Sequence, residues 1–480
     1  MRDVSKLDRE SDWTQLRIGV VGFGLAGFAA ADALIQMDAQ VVIIDSSARE
    51  KHAEKAQLLE ILGAEFQFDD DVNLPPDLDL LVLSPGVSPL APIVKSAQSI
   101  GLPIWGELEL AWRLRDTQAP APWLVITGTN GKTTTTRMLE SILAQKYGAE
   151  HVRAAGNIGL PLCEVVMDPA PISVIAVEVG APQLPFVESM SPEAAVCLNL
   201  APDHIDLFGS FEAYRDAKAR IYLNTKIAAI YNEQDIATER MVEQADVVEG
   251  CRAVAFTVSI PHKSMVGLVE DIIADRAFLT DRATTAIPII ELAELPSSAP
   301  HNVQNALAAI ALARAIDVEP AYIKAGLMSW QAEPHRISHV SQINGVDYVD
   351  DSKATNTHAA FTSIRAFESV VWIAGGLAKG QDFKELVEKS ASRLRGVVLL
   401  GADQDLIADA LAEFAPDVPV RRVHNTEISA MTSVVHQAAE LASAGDTVLL
   451  APGCASWDMF RDYAHRGDAF AQAVRELGTL

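Results

Sequence analysis

The sequence predicts an α/β protein built of three domains in series. Apolar runs of four to eight residues, each followed by a small or polar turn and then a stretch of helical periodicity, recur along the whole chain. That alternation is the pattern of parallel sheets covered by helices. The chain has 480 residues, of which 49% are hydrophobic, enough to bury several cores; this length corresponds to roughly three domains. Glycine-rich turns follow the first strand of two of these regions, "GFGLAG" at 22–27 and "GTNGK" at 128–132.

In chain order, "RIGVV" at 17–21, "VVII" at 41–44 and "LLVL" at 80–83 form a first set of strands. "QAPAP" at 118–122 reads as a linker. A second set follows at 123–127 "WLVIT", 172–179 "ISVIAVEV" and 194–200 "AAVCLNL". The third comprises 370–374 "VVWIA", 397–400 "VVLL" and 447–451 "TVLLA". Between 250 and 300 the pattern is irregular, with "GLVEDIIADRAFLT" reading as a short β excursion. Domain boundaries are expected at 1–116, 117–332 and 333–480.

A formal charge of -26 repels polyanions, so neither nucleic acid nor an anionic membrane surface is an expected partner. The N-terminus "MRDVSKLDRESDW" is charged throughout and does not resemble a secretory signal. No apolar run reaches the roughly 18 residues of a membrane span, and the chain is expected in the cytoplasm. Cys163, Cys197, Cys251 and Cys454 lack metal-ligand spacing, and the first three read as small packing residues.

Residues 126–136, "ITGTNGKTTTT", follow an apolar strand and open a helix. Gly128, Gly131 and the backbone N–H groups of Thr129, Asn130 and Thr134 can wrap phosphate oxygens; Lys132 adds positive charge, and Thr133 can reach a magnesium ion. Ile126 stands where the usual phosphate loop has its first glycine, so an ordinary strand-to-helix turn is the alternative. Glu178 closes the run "ISVIAVEV", at the strand end where open parallel sheets bind ligands; a surface glutamate is the plainer reading. His204, in "APDHIDLFGS", follows another strand and suits either a metal ligand or a hydrogen-bonded cap. Phe211, Tyr214, Lys218 and Ile221 share a helical stripe, which leaves Lys218 either snorkelling to water or buried and put to use. Asn302 and Asn305 open a helix and suit helix caps. "GFGLAG" with Asp45 at the end of the next strand fits the dinucleotide fingerprint, and residues 1–50 alone suggest a nicotinamide-dependent oxidoreductase.

Taken together, "GTNGKTTTT", Glu178, "GNIGLP" at 156–161, "DH" at 203–204, "AKARIY" at 217–222, "HNVQNALAA" at 301–309, "PHR" at 334–336 and "DDSKATN" at 350–356 resemble the Mur ligase superfamily. "DSKATN", "GFGLAG" and "PGCASWDMF" at 452–460 resemble its D-glutamate-adding branch. The resemblance implies an N-terminal Rossmann-like UDP-binding domain, a central P-loop ATPase-like domain and a C-terminal Rossmann-like domain. It also implies an ATP-dependent amide ligase of peptidoglycan precursor synthesis, with UDP-N-acetylmuramoyl-L-alanine, D-glutamate and ATP as partners. Magnesium, as two ions, is the implied cofactor, and the chain is expected to act as a monomer. Another amide ligase of the same family, or a nucleotide-binding scaffold without catalysis, is the alternative.

By resemblance, Lys132, Glu178, His204 and Lys218 are the catalytic set, with Lys218 carbamylated so that it joins Thr133, Glu178 and His204 around metal. Asn302, Asn305, Arg336 and Asp351 join the 128–134 loop around ATP. Leu25, Ala26, Asp45, Ser46, Ser84, Gly86 and Asn157 face the UDP-substrate, and Lys353, Thr355, Lys379, Ser456 and Tyr463 grip D-glutamate. A hinge is expected near Glu333–Arg336. The chain departs from the family where two serines and a phenylalanine usually follow Glu178 and its aliphatic neighbour: Gly180, Ala181 and Pro182 stand there instead.

Overall fold

A computed structural model describes residues 2–45, 53–68, 74–331, 335–425 and 427–478. Two compact units result. One comprises Met1–Leu200 with Leu207–Gln331, the other Ala201–Asp206 with Ala332–Leu480. Of the expected hinge, Glu333 and Pro334 lie outside the described residues.

The first unit carries two sheets. Strands β1 (Arg17–Val21), β2 (Gln40–Asp45), β3 (Glu65–Phe68), β4 (Leu80–Leu83) and β5 (Ile104–Gly106) form an all-parallel sheet in the order β3-β2-β1-β4-β5. The strand order reverses beside β1, so the loops after β1 and β4 open a crevice at the carboxyl edge, where ligands of such sheets bind. The second sheet contains β6 (Trp123–Thr127), β7 (Val152–Gly156), β8 (Val174–Glu178), β9 (Ala194–Cys197), β10 (Ala228–Asn232), β11 (Arg252–Phe256), β12 (Met265–Val269), β13 (Ile272–Asp275) and β14 (Ile287–Glu291). Their order is β14-β13-β12-β11-β10-β9-β6-β8-β7. Pairing is parallel from β7 to β12 and antiparallel from β12 to β14, so the expected β excursion after residue 250 is a meander at the sheet edge.

The core of the second sheet explains its centre. All five side chains of β6 are buried, as the unbroken apolar run requires when helices cover both faces. The helix Lys132–Tyr147 leaves the end of β6 and packs against the helices Pro300–Ala315 and Pro320–Ser329. Two expectations need adjustment. β9 stops at Cys197 rather than 200, because Asn199 turns to bind the neighbouring loop. The helix expected to carry the stripe Phe211, Tyr214, Lys218 and Ile221 is α-helical only to Ala219 and tightens into a 3-10 turn over Arg220–Tyr222.

The second unit holds a six-stranded sheet of β15 (Ser338–Ile343), β16 (Val346–Asp350), β17 (Val370–Gly375), β18 (Leu394–Leu400), β19 (Val420–Arg422) and β20 (Thr447–Leu450). The order is β15-β16-β20-β17-β18-β19, with β15 antiparallel at the edge and the remaining pairs parallel.

Gly326 sets how closely the helix after β6 is braced. A Cβ there would lie 2.3 Å from Ile142 Cα and 2.8 Å from the Ser141 carbonyl oxygen. Backbone cannot yield as a side chain can, so Gly326→Ala is expected to cost about 1–3 kcal/mol of stability, measured by urea unfolding. A change below about 0.5 kcal/mol, the scatter of neutral surface substitutions, would show that this contact is not set by the missing side chain.

Candidate active site

The loop after β1 turns on glycines. Gly22 has φ +86°, and a Cβ on Gly27 would sit 1.8 Å from the Gly22 carbonyl oxygen, so no other residue fits that approach. The Phe23 N–H donates to Asp45 Oδ2, and Ser84 Oγ donates to the Gly22 carbonyl at 2.7 Å. A cavity of about 920 Å³ results, lined by Leu25, Ala26, Asp45, Ser84 and Gly86 among others. Five of the seven residues expected at the UDP-substrate therefore come together. Ser46 lies outside the described residues, and Asn157 stands elsewhere, beside Glu178.

The loop after β6 is held from three sides. Gly131, at φ +84°, is the N-cap of the helix Lys132–Tyr147 and faces Asn305, whose Oδ1 is 2.3 Å from where a Cβ would be. Asn199 braces the loop through its carbonyl, which accepts from Thr129 N at 3.0 Å, and through its side chain. The side chain accepts from Asn130 N at 2.9 Å and donates to Asn130 O at 3.1 Å. Tyr214 Oη lies 3.1 Å from Thr129 Oγ1. Thr133 and Thr134 are buried in the first helical turn. The sequence reading missed Asn199, which it took as part of the strand 194–200 and whose only signal was a polar residue in an apolar run. Asn302 and Asn305 are not caps: Ala299 is the N-cap of their helix, Asn302 donates to Ser297 Oγ, and Asn305 accepts from Thr135 Oγ1.

Two lysines converge on this loop. Lys132 Nζ donates to the carbonyls of Gly128 and Thr129, both at 2.9 Å. Lys218 Nζ donates to the same Gly128 carbonyl at 2.8 Å and to Thr127 Oγ1 at 3.2 Å, and it lies 5.0 Å from the Tyr214 ring centroid. At 1% exposure Lys218 does not snorkel. The helical stripe that sequence periodicity identified carries this amine inward.

Glu178 pairs in register with Ile126, one residue before Thr127, and is 2% exposed. Its Oε1 accepts from Asn157 Nδ2 at 2.9 Å, whereas Oε2 is buried and finds no donor among the described residues. A buried oxygen without a donor is costly, and a cation is the natural partner of a carboxylate. The orphaned oxygen fits magnesium, as do the hydroxyls of the helix start. No group of three or more His, Cys, Asp or Glu side chains gathers among the described residues. After Glu178, the Gly180 N–H donates to Gln183 Oε1, and no hydroxyl side chain occupies 180–182.

In the second unit, Asp203 Oδ1 pairs with Lys379 Nζ at 3.3 Å, and Asn356 Nδ2 donates to Asp203 Oδ2 at 3.4 Å. His204, at φ +53°, has Nε2 3.7 Å from Asp203 Oδ2. Lys353 Nζ lies 3.8 Å from the Tyr463 ring centroid, a cation-π contact. Ser456 is 2% exposed in the segment whose Ala455 bridges to Leu377. Thr355 N donates to the Lys353 carbonyl at 2.8 Å. Lys353, Tyr463, Ser456 and Lys379 thus lie in neighbouring loops of one sheet edge.

Asp351 is buried and accepts from Ser363 Oγ and from Ile337 N at 3.3 Å. Burial pushes its carboxyl up to about 6, against the hydrogen bond from Ser363 and the charge of Arg336. The folded state therefore binds a proton that the unfolded chain has already released between its ordinary value and pH 6. This group's contribution is full at pH below 3.8 and is lost as pH rises through about 6. Asp351→Asn should remove that slope. Unfolding free energies of wild type and variant, measured from pH 4.5 to 7.5, should shift in favour of the variant as pH rises; parallel curves would contradict it.

Comparison with known proteins covers the whole chain. Residues 16–106 match the Mur ligase MurD-like N-terminal domain, 126–313 the Mur ligase middle domain, and 335–454 the Mur ligase glutamate ligase domain. The chain is 49% identical to the UDP-N-acetylmuramoylalanine--D-glutamate ligase of Streptomyces avermitilis, over 98% of this chain and 100% of that one. It is 46% identical to the enzyme of that name from Leifsonia xyli, over 97% and 93%. Among solved structures, the UDP-N-acetylmuramate-alanine ligase of Thermotoga maritima has a TM-score of 0.55 at 18% identity, covering 96% of this chain and 100% of that one. The MurF ligase of the same organism, solved in complex with ADP, has a TM-score of 0.55 at 15% identity, covering 99% and 100%. These structural likenesses extend to the fold, while the three domain matches and the full-length relatives establish descent: the chain belongs to the Mur ligase family.

Proposed function

We propose that the chain catalyses ATP-dependent addition of D-glutamate to UDP-N-acetylmuramoyl-L-alanine, as a monomer in the cytoplasm, during peptidoglycan precursor synthesis. The names of its full-length relatives support the substrates. The observation that carries the chemistry is the pair of lysines on the Gly128 carbonyl, one strand away from the orphaned oxygen of Glu178.

A carboxylate does not accept an amine, because its oxygen is a poor leaving group at neutral pH. Transfer of the γ-phosphoryl group of ATP to the alanyl carboxylate makes an acyl phosphate, whose phosphate then leaves as the D-glutamate amine attacks. The obstacle is bringing two anions together. Lys132 and the backbone N–H groups of 128–134 would hold the phosphates against this repulsion, with Asn302, Asn305, Arg336 and Asp351 around the nucleotide. Thr133, Glu178, His204 and a carbamate on Lys218 would hold magnesium, two ions in all, which when bound neutralises phosphate charge. A buried amine is where carbon dioxide can add, and burial of Lys218 supports that reading. The cavity beside Gly22 would take the UDP end, with Ser46 and Asn157 completing the set. Lys353, Thr355, Lys379, Ser456 and Tyr463 would take the amino acid, with the domains divided at 1–116, 117–332 and 333–480. Asp203 already pairs with Lys379, so a substrate carboxylate would have to share or displace it.

Phosphate release, with ATP, UDP-N-acetylmuramoyl-L-alanine and D-glutamate each omitted in turn, tests the reaction. Release that needs all three is the expected result; nucleotide binding without release would instead indicate a scaffold. Lys132→Ala should lower turnover by about three orders of magnitude, as loss of a main electrostatic stabiliser does. Retention of more than about a tenth of wild-type turnover would remove this loop from phosphoryl transfer. Lys218→Ala should be nearly inactive and partly restored by a small carboxylic acid, whereas Lys218→Arg should not be restored, since its side chain fills the space with the wrong charge.

A further inference from the structure

The most deeply buried arginine of the second unit is used by none of the roles above. Arg466, the fourth residue of the helix Tyr463–Leu477, is 1% exposed, and among the described residues it forms no ion pair with a carboxylate, although the charges of Asp458 and Asp350 act on it. Its guanidinium instead ties two loops together. Nε donates to Ser352 Oγ at 2.9 Å, Nη2 to the Ser352 carbonyl at 2.8 Å and Nη1 to the Cys454 carbonyl at 3.1 Å. Ser352 Oγ in turn donates to the Tyr463 carbonyl at 2.7 Å, closing a ring through the start of the same helix. Burial lowers the guanidinium to about 10, and it stays charged at neutral pH.

A buried charge whose direct hydrogen-bond partners are all neutral oxygens, with the carboxylates of Asp458 and Asp350 acting on it only through space, is an expensive way to join two loops. A rigid planar fork of five donors can reach two separate backbone carbonyls and a hydroxyl at once without their converging on a single point, as the three donors of a lysine ammonium would require. The loops it joins are those after β16 and β20, neighbouring parallel strands, and they carry Lys353 and Ser456. Tyr463, which stacks on Lys353, begins the helix that carries the arginine. We propose that Arg466 is a positioning residue for the amino-acid site: it fixes the spacing of the Lys353 and Ser456 loops and so sets the affinity for the incoming amino acid's carboxylates. This rests on the reading of that edge as the D-glutamate site.

The test compares steady-state kinetics of Arg466→Lys and Arg466→Gln with wild type for each substrate, together with hydrogen exchange. Both variants should raise KM for D-glutamate about tenfold or more, since a displacement near 1 Å at a site is costly. KM for ATP and for UDP-N-acetylmuramoyl-L-alanine should stay within about twofold, the range expected for substrates held elsewhere. Amide exchange should quicken in 351–356 and 453–456 while β16 and β20 keep their protection. Three results would overturn the proposal: a D-glutamate KM unchanged in both variants, equal shifts for all three substrates, or failure of both variants to fold, each of which makes the arginine a general stabiliser. Full recovery of the D-glutamate KM in Arg466→Lys would also overturn it, since charge alone would then suffice. A wild type that releases phosphate without regard to D-glutamate would instead sink the functional reading beneath it.

Discussion

One carbonyl oxygen, that of Gly128, receives the amines of two lysines. Like charges repel, by about 4 kcal/mol for a pair at about 4 Å and an effective dielectric of 20, so such a convergence favours negative charge nearby. In a chain of formal charge -26, two amines meet in this way at the end of a central strand. Phosphate groups would satisfy this demand, and so would the proposed carbamate on the deeper lysine with a cation beside Glu178. The proposed chemistry of joining two anions makes the same demand, since cationic groups are needed where the substrates would bring negative charge.

The rest of the first unit serves to hold that point still. Asn199 fixes Asn130 from just past the neighbouring strand, Tyr214 fixes Thr129, and Asn305 closes over Gly131 from another helix. Gly326 lets a further helix approach the one that begins at Lys132. Hydrogen bonds at the loop and backbone contact behind it restrict the same few atoms, which is how an electrostatic site avoids reorganising during reaction. In the second unit the analogous work is done at the edge of β16 and β20, where loops distant in sequence are joined by buried polar groups.

Much of this was legible in the sequence because it is local. An apolar run followed by glycines marks a strand that ends in a ligand loop, and "WLVIT" before "GTNGK" behaves so. Spacings of three, four and three marked Tyr214 and Lys218 as sharing a face, and both are buried. The strands "AAIYN" and "RAVAF" were missed because their small residues give a weak signal, although β10 and β11 sit inside the second sheet. Asn302 and Asn305 suited helix caps by position, but capping is a property of backbone geometry, and the N-cap of that helix is Ala299. Asn199 on Asn130, Asp203 on Lys379 and Arg466 on Ser352 join residues 69, 176 and 114 apart in the chain. No window of sequence contains such pairs. The motifs that signal the family also could not show that Asp203 already engages Lys379.

The account stands on phosphoryl transfer to the acceptor's carboxylate. Oxygen-18 in the carboxylate of UDP-N-acetylmuramoyl-L-alanine follows that bond directly: mass spectrometry of the released phosphate should find one labelled oxygen for each amide formed from fully labelled carboxylate. Phosphate released without label, while the amide accumulates, would contradict it.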